Sequence, residues 1–169
     1  FNTKYKEVFT IPEAHIIKAL AKINDLQEPT AKMSKSASSM AGVIELLDAP
    51  EVTLKRFKSS VTDAGREVKF DSTEKAGISN LLTIHSAFSG KSITDLENEF
   101  TGKGYGDFKV AVAEVVIAAL DPIRKRTEEL MNDKGELLKI LKSGADKANE
   151  VANKTLAETY SALGLIAHG

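Results

Sequence analysis

The sequence contains no cysteine, no long apolar run and no strong excess of charge of either sign. Without cysteine there can be no disulfide framework, no thiolate metal site and no cysteine nucleophile. No apolar segment approaches the length of a membrane span, and the first fifteen residues lack the apolar core and cleavage pattern of a signal peptide. We therefore expect a cytoplasmic protein with no membrane partner.

The net charge is only −1 over 169 residues, which does not fit the strongly basic body of a non-specific nucleic-acid coat. A polyanion would have to bind at local clusters. The chain begins with Phe1 rather than methionine, so we expect a piece of a longer protein. The three histidines, His15, His85 and His168, have no acid or second histidine at metal-ligand spacing, so we expect structural or solvated roles and no metal site.

The first quarter of the chain mixes a helical pattern with a polar loop. Pro12 suits a first helical turn, and apolar residues recur at helical spacing up to Ile23, so we predict a helix over residues 12–25. Pro29 bars its continuation. The later stretch "GVIELLD" could be a buried strand or a turn of helix, because the apolar pattern fits both.

Beyond Asp48 the sequence predicts a helix and then, at "TDAGREVKFDS", a turn with a small extended piece; from Gly77 onward the signals are almost wholly helical. A helix is predicted to start near Asp48 and Pro50, Gly90 is a predicted cap at the end of a helix, and Ser92 a predicted cap at the start of the next. Three apolar stripes at helical spacing support this: Val52, Leu54, Phe57 and Val61; Phe108, Val112, Val115, Ala119 and Ile123; and Ala145, Ala148, Ala152, Leu156, Tyr160 and Leu163. The fold class is mainly α, with a helical bundle over the last hundred residues.

The stretch "EPTAKMSKSASSM", residues 28–40, which we call the lysine–serine loop, carries two lysines and four serines with few apolar residues. Lys32 and Lys35 offer two point charges, and Ser34 and Ser36 add hydroxyl and amide donors. Such a set can hold a polyphosphate. The alternative is an ordinary surface loop, because lysine and serine are common in loops.

The order of the five residues "KMSKS" resembles a signature of class I aminoacyl-tRNA synthetases. Five further blocks are similar, in order and spacing, to the bacterial tryptophanyl-tRNA synthetase family: "FNTKYKEVFTIPEAHI", "SSVTDAGREVKFD", "AGISNLL", "GKGYGDFK" and "SGADKANEVANKTL". The resemblance covers essentially the whole chain. Many members of the family have aspartate where this chain has Ala37; here Ser38 or Ser39 could cap the next element instead.

The resemblance implies an enzyme that activates tryptophan with ATP and Mg²⁺ to tryptophanyl-adenylate and then transfers the tryptophanyl group to tRNA(Trp). Lys32 and Lys35 would neutralise charge on the leaving pyrophosphate, and Ser34 and Ser36 would add donors. Met33 and the backbone of Ile23 would border the adenine. The loop would act as a mobile lid that closes on ATP and reopens.

The same resemblance implies two regions. Residues 1–48 would be the carboxyl-terminal end of an α/β nucleotide-binding catalytic domain, and residues 49–169 a helical region that recognises the tRNA anticodon. The last helix could pack within the bundle or dock on the part of the catalytic domain that this sequence lacks. That part would also hold the tryptophan pocket and form the homodimer, so we expect the isolated chain to be inactive.

Candidate contacts to tRNA combine cations with an aromatic ring, as base stacking and phosphate positioning require. They are Lys103, Tyr105, Lys109, Arg124 and Lys125. A solvated helix face, or a packing role for Tyr105, is the alternative for each. Two other functions stay open: a non-catalytic helical RNA-binding or scaffold module, and a synthetase for tyrosine, which shares the loop but matches the later blocks poorly.

Overall fold

The computed structural model describes residues 1–16, 22–37 and 39–166, and it is mainly helical, as predicted. Its α-helices are α1 (Pro50–Lys58), α2 (Ala76–Ser89), α3 (Ile93–Glu99), α4 (Tyr105–Asn132) and α5 (Lys134–Leu163). A short 3₁₀ helix, Met40–Gly42, precedes them. The described residues contain no strand longer than an isolated bridge. No helix among them is both long enough and apolar enough to cross a membrane.

The chain divides into two compact units. One comprises Ile16–Thr127, and the other comprises Phe1–His15 together with Glu128–Gly169. The hydrophobic core lies in the first unit and is built around α2, which is apolar on most sides and buries eight of its residues. Its largest fully buried side chains are Leu26, Phe57, Ile78, Leu81, Leu82, Leu96, Phe108, Val112 and Val116.

The predicted ends of α2 and α3 are confirmed. Gly90 follows α2 with φ of +73°, a left-handed conformation that glycine adopts without steric cost, and its N–H bonds to the Ser86 carbonyl. Ser92 precedes α3, and its hydroxyl accepts the N–H of Asp95 at 3.1 Å. The predicted cap at Ser39 is confirmed as well, because its Oγ accepts the N–H of Ala41 at 3.3 Å. Ser38 lies outside the described residues.

The predicted helix over residues 12–25 is wrong at both of its described ends, residues 12–16 and 22–25, and residues 17–21 lie outside the described part of the chain. The backbone around Asn24 pairs with the lysine–serine loop instead of with its own turns. The stretch "GVIELLD" forms neither a strand nor a helical turn of its own; only its first residue, Gly42, belongs to the 3₁₀ helix. Its remaining residues form an irregular segment and a turn in which Asp48 accepts the N–H of Glu45 at 2.8 Å.

The apolar stripes mark the correct faces but run too far. On α1 Phe57 is buried and Val52 is exposed; Val61 lies beyond the end of α1 and is exposed as well. On α4 the last buried residue is Val116, and Ala119 and Ile123 are exposed. Periodicity identifies the face of a helix that packs, but not how far its neighbours extend along it. No residue of α5 is buried, and on its predicted apolar face Leu156 and Leu163 are exposed while Tyr160 is half-buried.

Candidate nucleotide-binding loop

The lysine–serine loop begins on one arm of a short hairpin. The N–H of Met33 donates to the Ile23 carbonyl at 3.0 Å, and the N–H of Asp25 donates to the Ala31 carbonyl at 2.9 Å. These two hydrogen bonds set Asn24 opposite Lys32 in an antiparallel bridge. The hairpin therefore fixes where the first signature lysine leaves the folded body.

Serines shape the tip of the loop. The Ser34 Oγ accepts the N–H of Ser36 at 3.3 Å and lies 3.1 Å from the Ser36 Oγ, while the N–H of Ala37 donates to the Ser34 carbonyl at 3.2 Å. Lys32 and Lys35 are exposed, and neither forms an ion pair with a described residue. Both ammonium groups are therefore available to meet an anion. Their attraction to it strengthens as water is excluded, from about 1 kcal/mol at 4 Å in water to about 4 kcal/mol at an effective dielectric of 20.

Met33 is half-buried, unlike the other four residues of the signature, and so is Ile23 on the facing arm of the hairpin. Their side chains pack against the hydrophobic core, and the Ile23 carbonyl already accepts the Met33 N–H. The loop is thus anchored by apolar contact at its first arm and open to solvent at its tip. These are the two properties that a lid needs.

Asp25 and Gly42 secure the other side of the loop. The Asp25 carboxylate, buried, accepts the N–H groups of Gln27 and Glu28 at 2.8 and 3.1 Å. Gly42 lies so close that a Cβ at this position would overlap the Asp25 carboxylate, and its carbonyl accepts the N–H of Leu26 at 2.9 Å. Only glycine permits this approach. Sequence patterns did not single out either residue.

A cleft lies beneath the loop, between the hairpin and the 3₁₀ helix. Its lining is mixed in charge, with two carboxylates and one ammonium group among hydroxyls. The residues that line it are Asp25, Gln27, Glu28, Ala31, Lys32, Ser34, Ala37, Ser39 and Gly42.

Two of the candidate tRNA contacts are engaged within the protein. The Tyr105 hydroxyl donates to the Asp63 carboxylate at 2.8 and 2.9 Å and accepts from Lys75 at 2.9 Å. The Lys109 ammonium donates to the Ser60 carbonyl at 2.7 Å, and burial lowers its pKa. These contacts give both residues a structural role at the start of α4.

Of the other three candidates, Lys103 and Lys125 are exposed and Arg124 is half-buried. The Lys103 ammonium is 4.8 Å from the centre of the Phe100 ring. Further along α4, Arg124 and Lys125 both bond to the Asp121 carboxylate, each at 2.6 Å. Nineteen residues separate Tyr105 from Arg124, which is about 29 Å along a helix. The five candidates therefore do not form one patch.

The structure also supports the structural reading of His85. This histidine is buried, its Nδ1 lies 3.1 Å from the Ser89 Oγ, and its ring stacks on Phe108 with centroids 6.1 Å apart. Burial lowers its pKa, so that the neutral ring is favoured. His15 is exposed, and His168 lies outside the described residues. Within the part of the chain that is described, no three acids or histidines cluster at a potential metal site.

Comparison with known proteins gives one family. The family model described as class I tRNA synthetases (W and Y) matches residues 1–121. The sequence is 49% identical, over 98% of its length, to the tryptophan–tRNA ligase of Leifsonia xyli subsp. xyli, and 50% identical over 98% to that of Bacillus anthracis. These matches cover 49% and 50% of those proteins, so the chain spans about half the length of the curated relatives it matches.

Solved structures give the same result. The tryptophanyl-tRNA synthetase from Mycoplasma pneumoniae is similar with a TM-score of 0.77 at 32% identity, over 88% of this chain and 46% of that one. The Campylobacter jejuni tryptophanyl-tRNA synthetase, solved in complex with ADP and tryptophan, gives a TM-score of 0.65 at 30% identity, over 97% of this chain and 50% of that one.

Proposed function

This chain belongs to the class I tRNA synthetases for tryptophan and tyrosine, and on that premise we propose that it is part of a tryptophan–tRNA ligase. The resemblance seen in the six sequence blocks is confirmed at the level of the family. Relatives of 49% and 50% identity are tryptophan ligases, which supports tryptophan over tyrosine as the amino acid. The whole enzyme would form tryptophanyl-adenylate from tryptophan and ATP and then charge tRNA(Trp).

One observation carries the proposal: both signature lysines lie on an exposed loop whose first arm is fixed to the core, and neither pairs with a described acid. In adenylate formation the substrate carboxylate attacks the α-phosphorus, and the bond to pyrophosphate breaks. No protein nucleophile is needed, so catalysis rests on positioning and on stabilising the charge that moves to the leaving group. Lys32 and Lys35 would supply that stabilisation, and Ser34 and Ser36 the additional donors.

ATP would arrive with Mg²⁺ as a substrate complex, and the loop residues would contact its phosphates. Met33 and the Ile23 backbone would border the adenine from the anchored arm of the hairpin. One structural neighbour was solved with ADP, which is consistent with nucleotide binding in the family. A loop that opens again after reaction would release pyrophosphate.

The division of labour along the chain is part of the same proposal. Residues 1–48 would complete a nucleotide-binding catalytic domain, and residues 49–169 would meet the tRNA. Because the relatives are about twice as long, the tryptophan pocket and the homodimer contact would lie outside this sequence. The isolated chain would then be inactive, and the whole enzyme would work in the cytoplasm.

Among the candidate tRNA contacts, Lys103 and Lys125 are the most available. Lys103 is exposed, and the Lys125 side chain is 64% exposed despite its ion pair with Asp121. An exposed ion pair of this kind contributes little to stability, so Lys125 can exchange its partner for a phosphate. Tyr105 and Lys109 would have to give up interior hydrogen bonds to do the same. Binding through few phosphates in a chain of balanced charge should be weak and salt-sensitive.

The test is tryptophan-dependent exchange of pyrophosphate into ATP by the full-length protein. Lys35→Ala should reduce the exchange rate by about 10²–10³-fold, the usual effect of losing one preorganised charge-stabilising group. Lys139→Ala, which removes an exposed lysine from α5, is the control and should leave the rate unchanged.

Two results would contradict the proposal. A full-length protein that folds but shows no tryptophan-dependent exchange would favour the non-catalytic RNA-binding or scaffold module. A Lys35→Ala variant with the exchange rate of the wild type would remove the assigned role of the loop.

A further inference from the structure

Asn80 is distant in sequence from the hairpin that carries Lys32, but it contacts that hairpin in the folded chain. It lies in the middle of α2 and is buried, only 7% exposed. Its Oδ1 accepts the N–H of Asn24 at 2.9 Å, and its Nδ2 donates to the carbonyl of the same residue at 2.8 Å. One carboxamide therefore satisfies both backbone groups of a residue 56 positions earlier.

The geometry of the hairpin explains why Asn24 needs such a partner. In its bridge with Lys32, the two hydrogen bonds are made by the residues on either side, Ile23 with Met33 and Asp25 with Ala31. The N–H and C=O of Asn24 therefore point away from Lys32, toward the other edge of this arm. An unsatisfied backbone pair at a part-buried position is costly, and Asn80 removes that cost.

A lone bridge with two hydrogen bonds is marginal on its own. Asn80 adds two more hydrogen bonds on the opposite edge and so acts in place of a third strand. A further bond reinforces the turn, because the Asn24 Nδ2 donates to the Pro29 carbonyl at 2.6 Å. The position of the Lys32 backbone thus depends on a side chain supplied by α2.

Few side chains can replace Asn80 in this role. The contact requires a donor and an acceptor in one plane, at a fixed distance from the helix, which is what an asparagine carboxamide offers. Aspartate retains the acceptor for the Asn24 N–H but places an oxygen against the Asn24 carbonyl. Alanine retains neither contact.

We propose that Asn80 is a positioning residue for the adenylate-forming step: it holds the arm of the hairpin that carries Lys32 and thereby places the lysine–serine loop over the nucleotide phosphates. This inference rests on the proposed function and adds a residue outside the signature. It also assigns a task to the block "AGISNLL" in the helical part of the chain.

The experiment uses the full-length protein and compares Asn80→Ala with Ser79→Ala. Ser79 is the matched control, since it is buried on the same helix and its Oγ accepts one backbone N–H, that of Asp71 at 2.8 Å, a residue outside the hairpin. We expect Asn80→Ala to lower kcat/KM for ATP in tryptophan-dependent exchange by about 10²-fold, the scale of a misplaced catalytic group. Ser79→Ala should stay near the wild-type value.

A double-mutant cycle separates positioning from general damage. If Asn80 acts through the loop, Asn80→Ala should have a smaller effect in a Lys32→Ala background than in the wild type, because one of the groups that it positions is gone. Independent, multiplicative effects would overturn the proposal. Should Asn80→Ala fail to fold, Asn80→Asp takes its place in the cycle.

Hydrogen exchange gives a readout besides activity. In Asn80→Ala or Asn80→Asp, amides of residues 23–33 should exchange faster while α2 keeps its protection. If wild type is active and Lys35→Ala is impaired but Asn80→Ala matches Ser79→Ala, the positioning role is overturned and the proposed function stands. If the wild-type protein shows no exchange of pyrophosphate, the proposed function fails, and the role of Asn80 with it.

Discussion

Tyr105 joins three segments of the chain through its hydroxyl. It donates to Asp63 in the loop after α1 and accepts from Lys75, the residue before α2, while itself opening α4. The backbone N–H of Gly65 also donates to the Asp63 carboxylate, at 2.7 Å. Because Asp63 and Lys75 are each about one-fifth exposed, their charges are only partly screened by water. The phenol thus fixes a charged pair that would otherwise be loosely held.

These contacts lower the pKa of the Asp63 carboxyl. Burial by itself raises the pKa of the carboxyl, but hydrogen bonds from Tyr105, Gly65 and Lys75 outweigh it, and the pKa is lowered. A carboxyl with a lowered pKa in the folded state stabilises the fold above its unfolded pKa of about 3.9. That contribution is lost as the pH falls through the lower, folded value.

We predict that Tyr105→Phe lowers the free energy of unfolding of this chain by about 1–3 kcal/mol, because it removes a hydrogen bond to a charged group and leaves Asp63 with fewer donors. Urea denaturation at neutral pH measures this loss of stability. Tyr160→Phe is the control, since the Tyr160 hydroxyl has no hydrogen bond to a described residue. Equal losses in the two variants would contradict the structural role of Tyr105.

The same measurement repeated below pH 4 tests the sign of the pKa shift. Wild type should lose stability as the pH falls through the folded pKa of Asp63. In Asp63→Asn that part of the acid dependence should be absent, because no carboxyl titrates there.

For single residues, the sequence predicted which side chains could bind a ligand, but not which residues those side chains contact in the folded chain. "KMSKS" is recognisable as a phosphate-binding set because its residues are contiguous. Tyr105 and Lys109 are candidate tRNA contacts by composition, yet their hydrogen bonds reach 42 and 49 residues back along the chain. Asn80 gives a weaker signal: a polar residue within an apolar run must find a buried partner, but nothing local says that the partner is Asn24.

Helix ends are the elements that short sequence patterns define best. The Ser92 hydroxyl accepts the N–H of Asp95 and donates to the Asp95 carboxylate at 2.7 Å. Both contacts lie within four residues, so the predicted cap needed no tertiary information. The same holds for Gly90, where the left-handed backbone requires glycine.

We predict that Ser92→Ala lowers the free energy of unfolding by about 0.5–2 kcal/mol, the cost of losing an N-cap. Thr94→Ala, at an exposed position within α3, should cost less because that residue caps nothing. Thermal or urea unfolding of the two variants side by side gives the comparison. A Ser92→Ala variant as stable as Thr94→Ala would show that the cap is irrelevant to α3.

The predicted secondary structure was wrong where contacts with residues distant in sequence determine it. The segment around Asn24 has a helical apolar pattern, but its backbone hydrogen bonds go to the loop and to Asn80. Tertiary context overrides a weak local preference in such a case. The stripe on α4 was wrong in a different way: its spacing is correct, but the last buried residue is Val116 and Ile123 is exposed.

For the molecule as a whole, the sequence predicted a mainly helical chain and its family, because both depend on signals spread over many residues. It did not predict the division into Ile16–Thr127 and a unit that joins the first fifteen residues to Glu128–Gly169. The grouping of the two ends of the chain in one unit produces no periodic pattern in the sequence. That the last helix packs within the bundle or docks on a part outside this sequence stays a prediction.

The apolar seam of α5 predicts how the isolated chain behaves. Leu138, Leu141 and Leu156 are 65%, 58% and 47% exposed, and with the alanines between them they recur at spacings of three and four residues. A seam of this kind is typical of a helix that packs against another helix. Since extended apolar patches are seldom left open in a soluble monomer, we expect isolated chains to associate through this seam.

Sedimentation velocity over a concentration series tests this expectation, with the weight-average sedimentation coefficient rising with concentration. The double variant Leu138→Glu and Leu141→Glu should stay monomeric, because each substitution replaces an apolar contact with a charge. Ser143→Glu with Asn153→Glu is the matched control: it adds the same charge at exposed polar positions of α5 off the seam. If the control dissociates the chains as fully as the leucine variant, net charge and not the seam governs association. If wild type is monomeric throughout, the exposed leucines do not act as a contact surface in the isolated chain.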